Sequence, residues 1–137
     1  MINITNEDSL RTQWTNKFDR NKSGIFDNIL SNPPYVKFQN LSNKDRLFLI
    51  NNWETISNGT FNLYFAFFEL GYKLLNEKGK LGYITPNNYF TSISGKPLRL
   101  YFQNKQCIYK IIDFKDKKIF NAQTYTAITF LDRNAVD

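Results

Sequence analysis

The chain has 137 residues, 42% of them hydrophobic, 22% charged and 17% aromatic, and carries a formal charge of +6. That length suits one domain with a real core, and that composition excludes a disordered chain. One cysteine, Cys107, and no histidine exclude a disulfide framework and a histidine-based triad; no metal site is expected, and the positive charge suits a polyanionic partner.

Residues 1–5 alternate weakly, as a short strand would, and lead into Asn6-Glu7-Asp8-Ser9. Residues 11–24 are polar and turn-rich, a loop or a poor helix. Residues 24–30 read as a strand with Phe26, Ile29 and Leu30 as its buried positions. Ser42 with Asp45 resembles a capping box, and a helical apolar pattern over 44–57 follows it (Leu47, Phe48, Ile50, Trp53, Ile56). Thr60 can cap a helix over 61–76 that is apolar almost all round and so belongs in an interior layer. Gly79 is placed to end that helix in a left-handed cap.

A second strand follows over 80–85, then a short basic helix over 96–104 with Pro97 in its first turn. Residues 108–114 and 125–131 form two more strands, and the short basic loop between them suits an antiparallel ribbon. The order predicts an α/β fold with an antiparallel pair at its end. All six glycines are isolated, so no glycine-rich strand-to-helix turn is present. No signal peptide opens the chain, and the apolar run 61–75 is short and broken by Asn62, Glu69 and Lys73. It does not suit a membrane span, and a cytoplasmic location is expected.

Asn32-Pro33-Pro34-Tyr35 stands directly behind the first strand. Open α/β sheets place their chemistry at the carboxyl ends of strands. Each proline fixes φ and removes an N–H, and a residue before proline is pushed extended. The turn can therefore accept hydrogen bonds from an exocyclic amine while the tyrosine ring stacks on the heterocycle that carries it. Read alone, it is also a rigid turn closing a strand.

Taken together, these segments resemble the DNA adenine-N6 amino-methyltransferases of bacterial restriction–modification systems. The resemblance runs in order through Asp8-Ser9-Leu10, Phe26-Asp27-Asn28-Ile29-Leu30-Ser31-Asn32-Pro33-Pro34-Tyr35-Val36 and Asn62-Leu63-Tyr64. It continues through Gly79-Lys80-Leu81-Gly82-Tyr83-Ile84-Thr85-Pro86-Asn87 and Ile119-Phe120 to Thr124-Tyr125-Thr126. It implies part of a Rossmann-like methyltransferase sheet ending in an antiparallel hairpin, S-adenosylmethionine as methyl donor, and a flipped adenine of double-stranded DNA as acceptor. It makes Asn32, Pro33, Pro34 and Tyr35 catalytic, Tyr35 and Phe120 the stacking pair, and Asp8, Asn32 and Leu63 the cofactor contacts. Lys115, Lys117 and Lys118 would hold DNA phosphates. Read alone, Asp8 is a turn residue, Phe120 a core residue, Asn62-Leu63-Tyr64 helix-start packing and the lysines a solvated loop.

Under the resemblance, residues 1–137 are a partial catalytic domain. The glycine-rich cofactor segment is expected upstream of Met1, and a target-recognition domain downstream of Asp137. The rest of a parent enzyme is thus an expected partner, and an open sheet edge invites dimers or domain-swapped forms. Two other readings compete: a release-factor glutamine or ribosomal RNA methyltransferase, and a non-catalytic DNA-contacting fragment.

Overall fold

A computed structural model describes residues 6–14, 24–57, 59–115, 117, 119–120 and 124–133. The expected strand over 1–5 and Lys118 lie outside these residues. The described residues form four strands, β1 (Phe26–Ser31), β2 (Leu75–Pro86), β3 (Ile108–Asp113) and β4 (Thr126–Asp132), with two α-helices between β1 and β2 and a third between β2 and β3. The helices are α1 (Asn43–Asn52), α2 (Tyr64–Leu74) and α3 (Lys96–Lys105). The strands form one sheet in the order β1-β2-β4-β3. β1 and β2 pair in parallel, and β4 runs antiparallel to both β2 and β3. The antiparallel hairpin is present, with its last strand inserted inside the sheet. Burial explains the order: Thr126, Ala127, Thr129 and Leu131 of β4 are at most 1% exposed, whereas β3 is largely exposed and forms an edge.

The core lies between one sheet face and the helices. Leu81, Tyr83 and Thr85 of β2 point into it, with Leu131, Thr129 and Ala127 across the ladder. Against them packs α2, which buries Tyr64, Phe65, Ala66, Phe68, Glu69, Leu70 and Gly71, nearly all round as its composition predicts. Contact is so close that a Cβ on Gly71 would stand 2.4 Å from Leu81 Cδ1. Among the described residues the opposite face stays open. Leu30, expected to be buried, is 82% exposed there, beside Gly82, Ile84, Ile128 and Phe130. The side-chain period of two puts Ile29, not Leu30, on the helix side.

Several boundaries differ from expectation. The capping box forms, with Asp45 N–H donating to Ser42 Oγ at 3.1 Å. The helix that it opens stops at Asn52, however, because Trp53 turns extended. The cause is a buried carboxylate: Thr55 N–H and Oγ1 both donate to Glu69 Oε2 at 3.0 Å, which draws the chain off the helical path. Helix α2 begins at Tyr64 rather than under a Thr60 cap. Residues 61–63 pair instead with 36–38, Leu63 N–H to Val36 O and Phe38 N–H to Phe61 O, both at 2.9 Å.

Gly79 is not a helix cap. The helix ends at Leu74, Leu75 is already extended, and Gly79 lies within β2. The left-handed residue is Lys78 (φ 63°). Gly79 is where the bulged start of β2 meets β1, and a Cβ there would stand 2.8 Å from Asn76 O and 3.1 Å from Phe26 O. Among the described residues no helix is long and apolar enough to cross a membrane.

Candidate active site at the carboxyl ends of the strands

The carboxyl end of β1 delivers Asn32-Pro33-Pro34-Tyr35, and the loop is pinned on both sides. The sheet holds its entry through Ser31, which pairs with Tyr83 of β2. The 36–38 to 61–63 pairing holds its exit against the start of α2. Pro33 is buried, Asn32 and Pro34 are exposed and Tyr35 is half-buried. The Tyr35 hydroxyl lies 2.6 Å from Asn32 Oδ1 and 2.9 Å from the carbonyl oxygen of Ile84 in β2. Its ring meets Tyr64 edge-on, with centroids 6.2 Å apart at 75°. Burial raises the Tyr35 pKa above its ordinary value, so the phenol keeps its proton at neutral pH.

Tyr64 belongs to the same framework. Its hydroxyl donates to Asn88 Oδ1 at 2.8 Å, in the turn after β2, and burial raises its pKa further. Asn87 ties that turn onward: its Nδ2 donates to Asp113 Oδ1 at 3.0 Å, and its N–H to Tyr125 O at 3.0 Å. The ends of β1, β2 and β3 and the start of β4 are thus joined by side-chain and backbone hydrogen bonds along one edge.

A cavity of about 300 Å³ opens beside this loop, lined by Asp8, Arg11, Pro34, Phe48, Leu63 and Phe67 among others. Asp8 Oδ1 accepts from Leu10 N–H at 3.0 Å, and its Oδ2 pairs with Arg11 Nε at 3.2 Å. A carboxylate has about four acceptor positions, enough for these donors and for an amine on a ligand. Largely apolar walls, with Asp8, Arg11 and Asp45 as the charged groups, suit a planar heterocycle that carries an amino group. Arg11 reaches on to Asp45 Oδ1 at 2.6 Å and lies 3.9 Å over the Phe48 ring, so α1 forms the outer wall. The Ser42 hydroxyl, and then Arg11, hold the Asp45 carboxyl below its ordinary pKa.

Of the three expected cofactor positions, Asp8 and Leu63 meet at this cavity together with Pro34. Asn32 opens on a different groove, with Leu30, Ser31, Gly82, Ile84, Ile128 and Phe130. Lys115, Lys117 and Phe120 lie in the loop between β3 and β4, at the same sheet edge. Phe120 is 41% exposed, which removes the core reading of that ring. Lys115 takes a left-handed conformation (φ 49°), and its N–H donates to Asp113 Oδ1 at 3.0 Å. Sequence reading missed Arg11, Asp45 and Phe48, because nothing local pairs residues 34 positions apart.

The family model of the Eco57I restriction-modification methylases matches residues 2–120. The chain belongs to this family. Among curated relatives it is 31% identical over 115 residues to the type II restriction enzyme and methyltransferase RM.Eco57I of Escherichia coli, a match that covers 82% of this chain and 12% of that protein. It is 32% identical over 130 residues to the type II methyltransferase M.AccI of Acinetobacter calcoaceticus, covering 93% of this chain and 23% of that one. The chain therefore spans less than a quarter of either relative.

Among solved structures, the type IIL restriction-modification enzyme MmeI in complex with DNA superposes with a TM-score of 0.68 at 15% identity, over 97% of this chain and 18% of that one. A Listeria monocytogenes protein described as a class I S-adenosylmethionine-dependent methyltransferase superposes with a TM-score of 0.65 at 19% identity, over 83% and 33%. The fold is therefore the Rossmann-like α/β fold of class I methyltransferases, as the resemblance implied.

Proposed function

We propose that this chain is the catalytic-core segment of a DNA methyltransferase of a restriction–modification system, which moves a methyl group from S-adenosylmethionine to the exocyclic amine of an adenine flipped out of the duplex. One observation carries the reading: the Asn32–Tyr35 loop, pinned at the carboxyl end of β1, borders a cavity with apolar walls and the Asp8 carboxylate. Family membership supports it and weighs against release-factor and ribosomal RNA acceptors.

The cavity fits the heterocycle of the methyl donor. Asp8 would accept from its amino group, Pro34 and Leu63 would pack on its faces, and Asn32 would lie nearer the transferred methyl. When bound, the donor supplies an electrophilic methyl on a sulfonium sulfur. The chain's own residues then hold and orient the acceptor. Asn32 Oδ1 accepts one amine proton and the Pro33 carbonyl the other, which draws the nitrogen lone pair out of ring conjugation and towards the methyl. On transfer the N–C bond would form as the donor's C–S bond breaks, with the electron pair left on sulfur and the amine's surplus proton passing to water. Positioning and electrostatics suffice for such a displacement. The Tyr35 face, with Phe120 opposite, traps the extruded base by stacking, and Lys115, Lys117 and Lys118 hold phosphates.

The test is an acceptor assay of the protein as encoded, using labelled methyl donor with unmethylated DNA, ribosomal RNA and release factor in parallel. Label in DNA, recovered as N6-methyladenine, is the expected result. Label in RNA, in protein or on cytosine contradicts the proposal.

A further inference from the structure

The Tyr35 hydroxyl has two neighbours and one proton. It lies 2.6 Å from the Asn32 side-chain oxygen position and 2.9 Å from the Ile84 carbonyl oxygen. A phenol donates one hydrogen bond and accepts others. A backbone carbonyl can only accept, so the bond to Ile84 takes the proton. The phenol oxygen is then an acceptor, and its partner at Asn32 must be a donor. An amide's oxygen and nitrogen are told apart by their hydrogen-bond network, and this network is better satisfied with Nδ2 turned towards Tyr35 than with Oδ1 there.

We infer that Tyr35 is a positioning residue for Asn32 as well as a stacking face, through a relay in which Asn32 Nδ2–H donates to the Tyr35 oxygen and the Tyr35 O–H donates to Ile84 O. Oδ1 is then left to accept from an incoming amine, and Asn32 lines the open groove beside Leu30 and Ile84. Polarity follows as well as direction. An amide that donates through nitrogen becomes a better acceptor through oxygen, because linked hydrogen bonds polarise one another. In the opposite arrangement, Tyr35 would donate to Oδ1 and compete with the substrate amine. The edge contact with Tyr64 holds the ring in the plane that the relay needs. The inference rests on the methyl-transfer reading above, and it revises the expectation that a ring face alone explains Tyr35.

The test uses the protein as encoded, labelled methyl donor and unmethylated bacteriophage λ DNA, in single-turnover and steady-state form. Tyr35→Phe keeps the ring and loses the relay. It should slow methyl transfer about tenfold, as the loss of one hydrogen bond that orients the acceptor does, with KM for DNA unchanged. In an Asn32→Ala background, the same substitution should cost nothing more. Unaltered transfer in Tyr35→Phe, or an undiminished further loss in the double variant, overturns the relay while leaving the reaction standing. Wild-type transfer in Asn32→Ala overturns the reaction assignment itself, and the relay with it. A second readout does not depend on activity. In protein labelled with 15N-asparagine, the Asn32 Nδ2 protons, identified by their loss in Asn32→Ala, should exchange with water faster in Tyr35→Phe. Equal exchange overturns the relay.

Discussion

At Tyr35 the structure separates a ring from a hydroxyl. The half-buried ring is available at the sheet edge, while the hydroxyl is committed to Asn32 and Ile84. Phe120 is exposed in the loop that leads into β4. If the two rings trap an extruded base, Tyr35→Ala and Phe120→Ala should each weaken productive binding by about 1–3 kcal/mol. Phe120→Tyr should be mild. A 2-aminopurine at the target position measures this, because its fluorescence rises outside the stack and is quenched again by an aromatic neighbour. Each alanine variant should brighten the extruded base or shrink the flipped population. Unchanged fluorescence and turnover in Phe120→Ala would leave Tyr35 as the only ring in contact with the base.

At the scale of elements, Glu69 shapes the stretch between α1 and α2. It is fully buried, accepts from the Thr55 N–H and hydroxyl, and pairs with Lys73. Removing it leaves two buried donors without their acceptor. Glu69→Ala should therefore destabilise the fold by about 1–3 kcal/mol for each donor left unsatisfied, as read from urea unfolding. A change below 1 kcal/mol would mean that water reaches Thr55.

The same element marks how much could be read from the sequence. Strand β1, its Asn-Pro-Pro-Tyr turn, the Ser42 capping box and the basic helix with Pro97 all follow from local patterns, and the structure has them. What the local pattern hid depends on distant partners. Helix α1 ends where Glu69 captures Thr55. Helix α2 starts late because residues 61–63 pair with 36–38. Gly79 is required by the backbone of Asn76, then by the Phe26 carbonyl across the sheet, not by a helix end. Asp8 and Leu63 meet at one cavity, whereas their neighbours Arg11, Asp45 and Phe48 carried no signal that a single sequence could show.

For the whole molecule, the open sheet face and the edge position of β1 among the described residues matter most. The described sheet buries one face only, and no glycine-rich cradle lies within residues 1–137 to hold the donor's amino-acid end. Residues 1–137 alone should therefore bind S-adenosylmethionine weakly. Calorimetry on that segment should show no micromolar affinity, and a micromolar value would show that the Asp8 cavity suffices. The edge strand β1 also favours self-pairing of the isolated segment, which sedimentation would reveal as a dimer.

The central claim is that Asn32 draws the adenine amine towards the methyl donor. The most direct measurement is single-turnover methyl transfer to DNA by the protein as encoded, wild type against Asn32→Ala, with the modified nucleoside identified by mass spectrometry. The account predicts N6-methyladenine, formed about a hundredfold more slowly by the variant while DNA affinity stays within a few fold, as for loss of a transition-state hydrogen-bond partner. An unchanged rate constant with weaker DNA binding, or a methyl group found on cytosine, would contradict it.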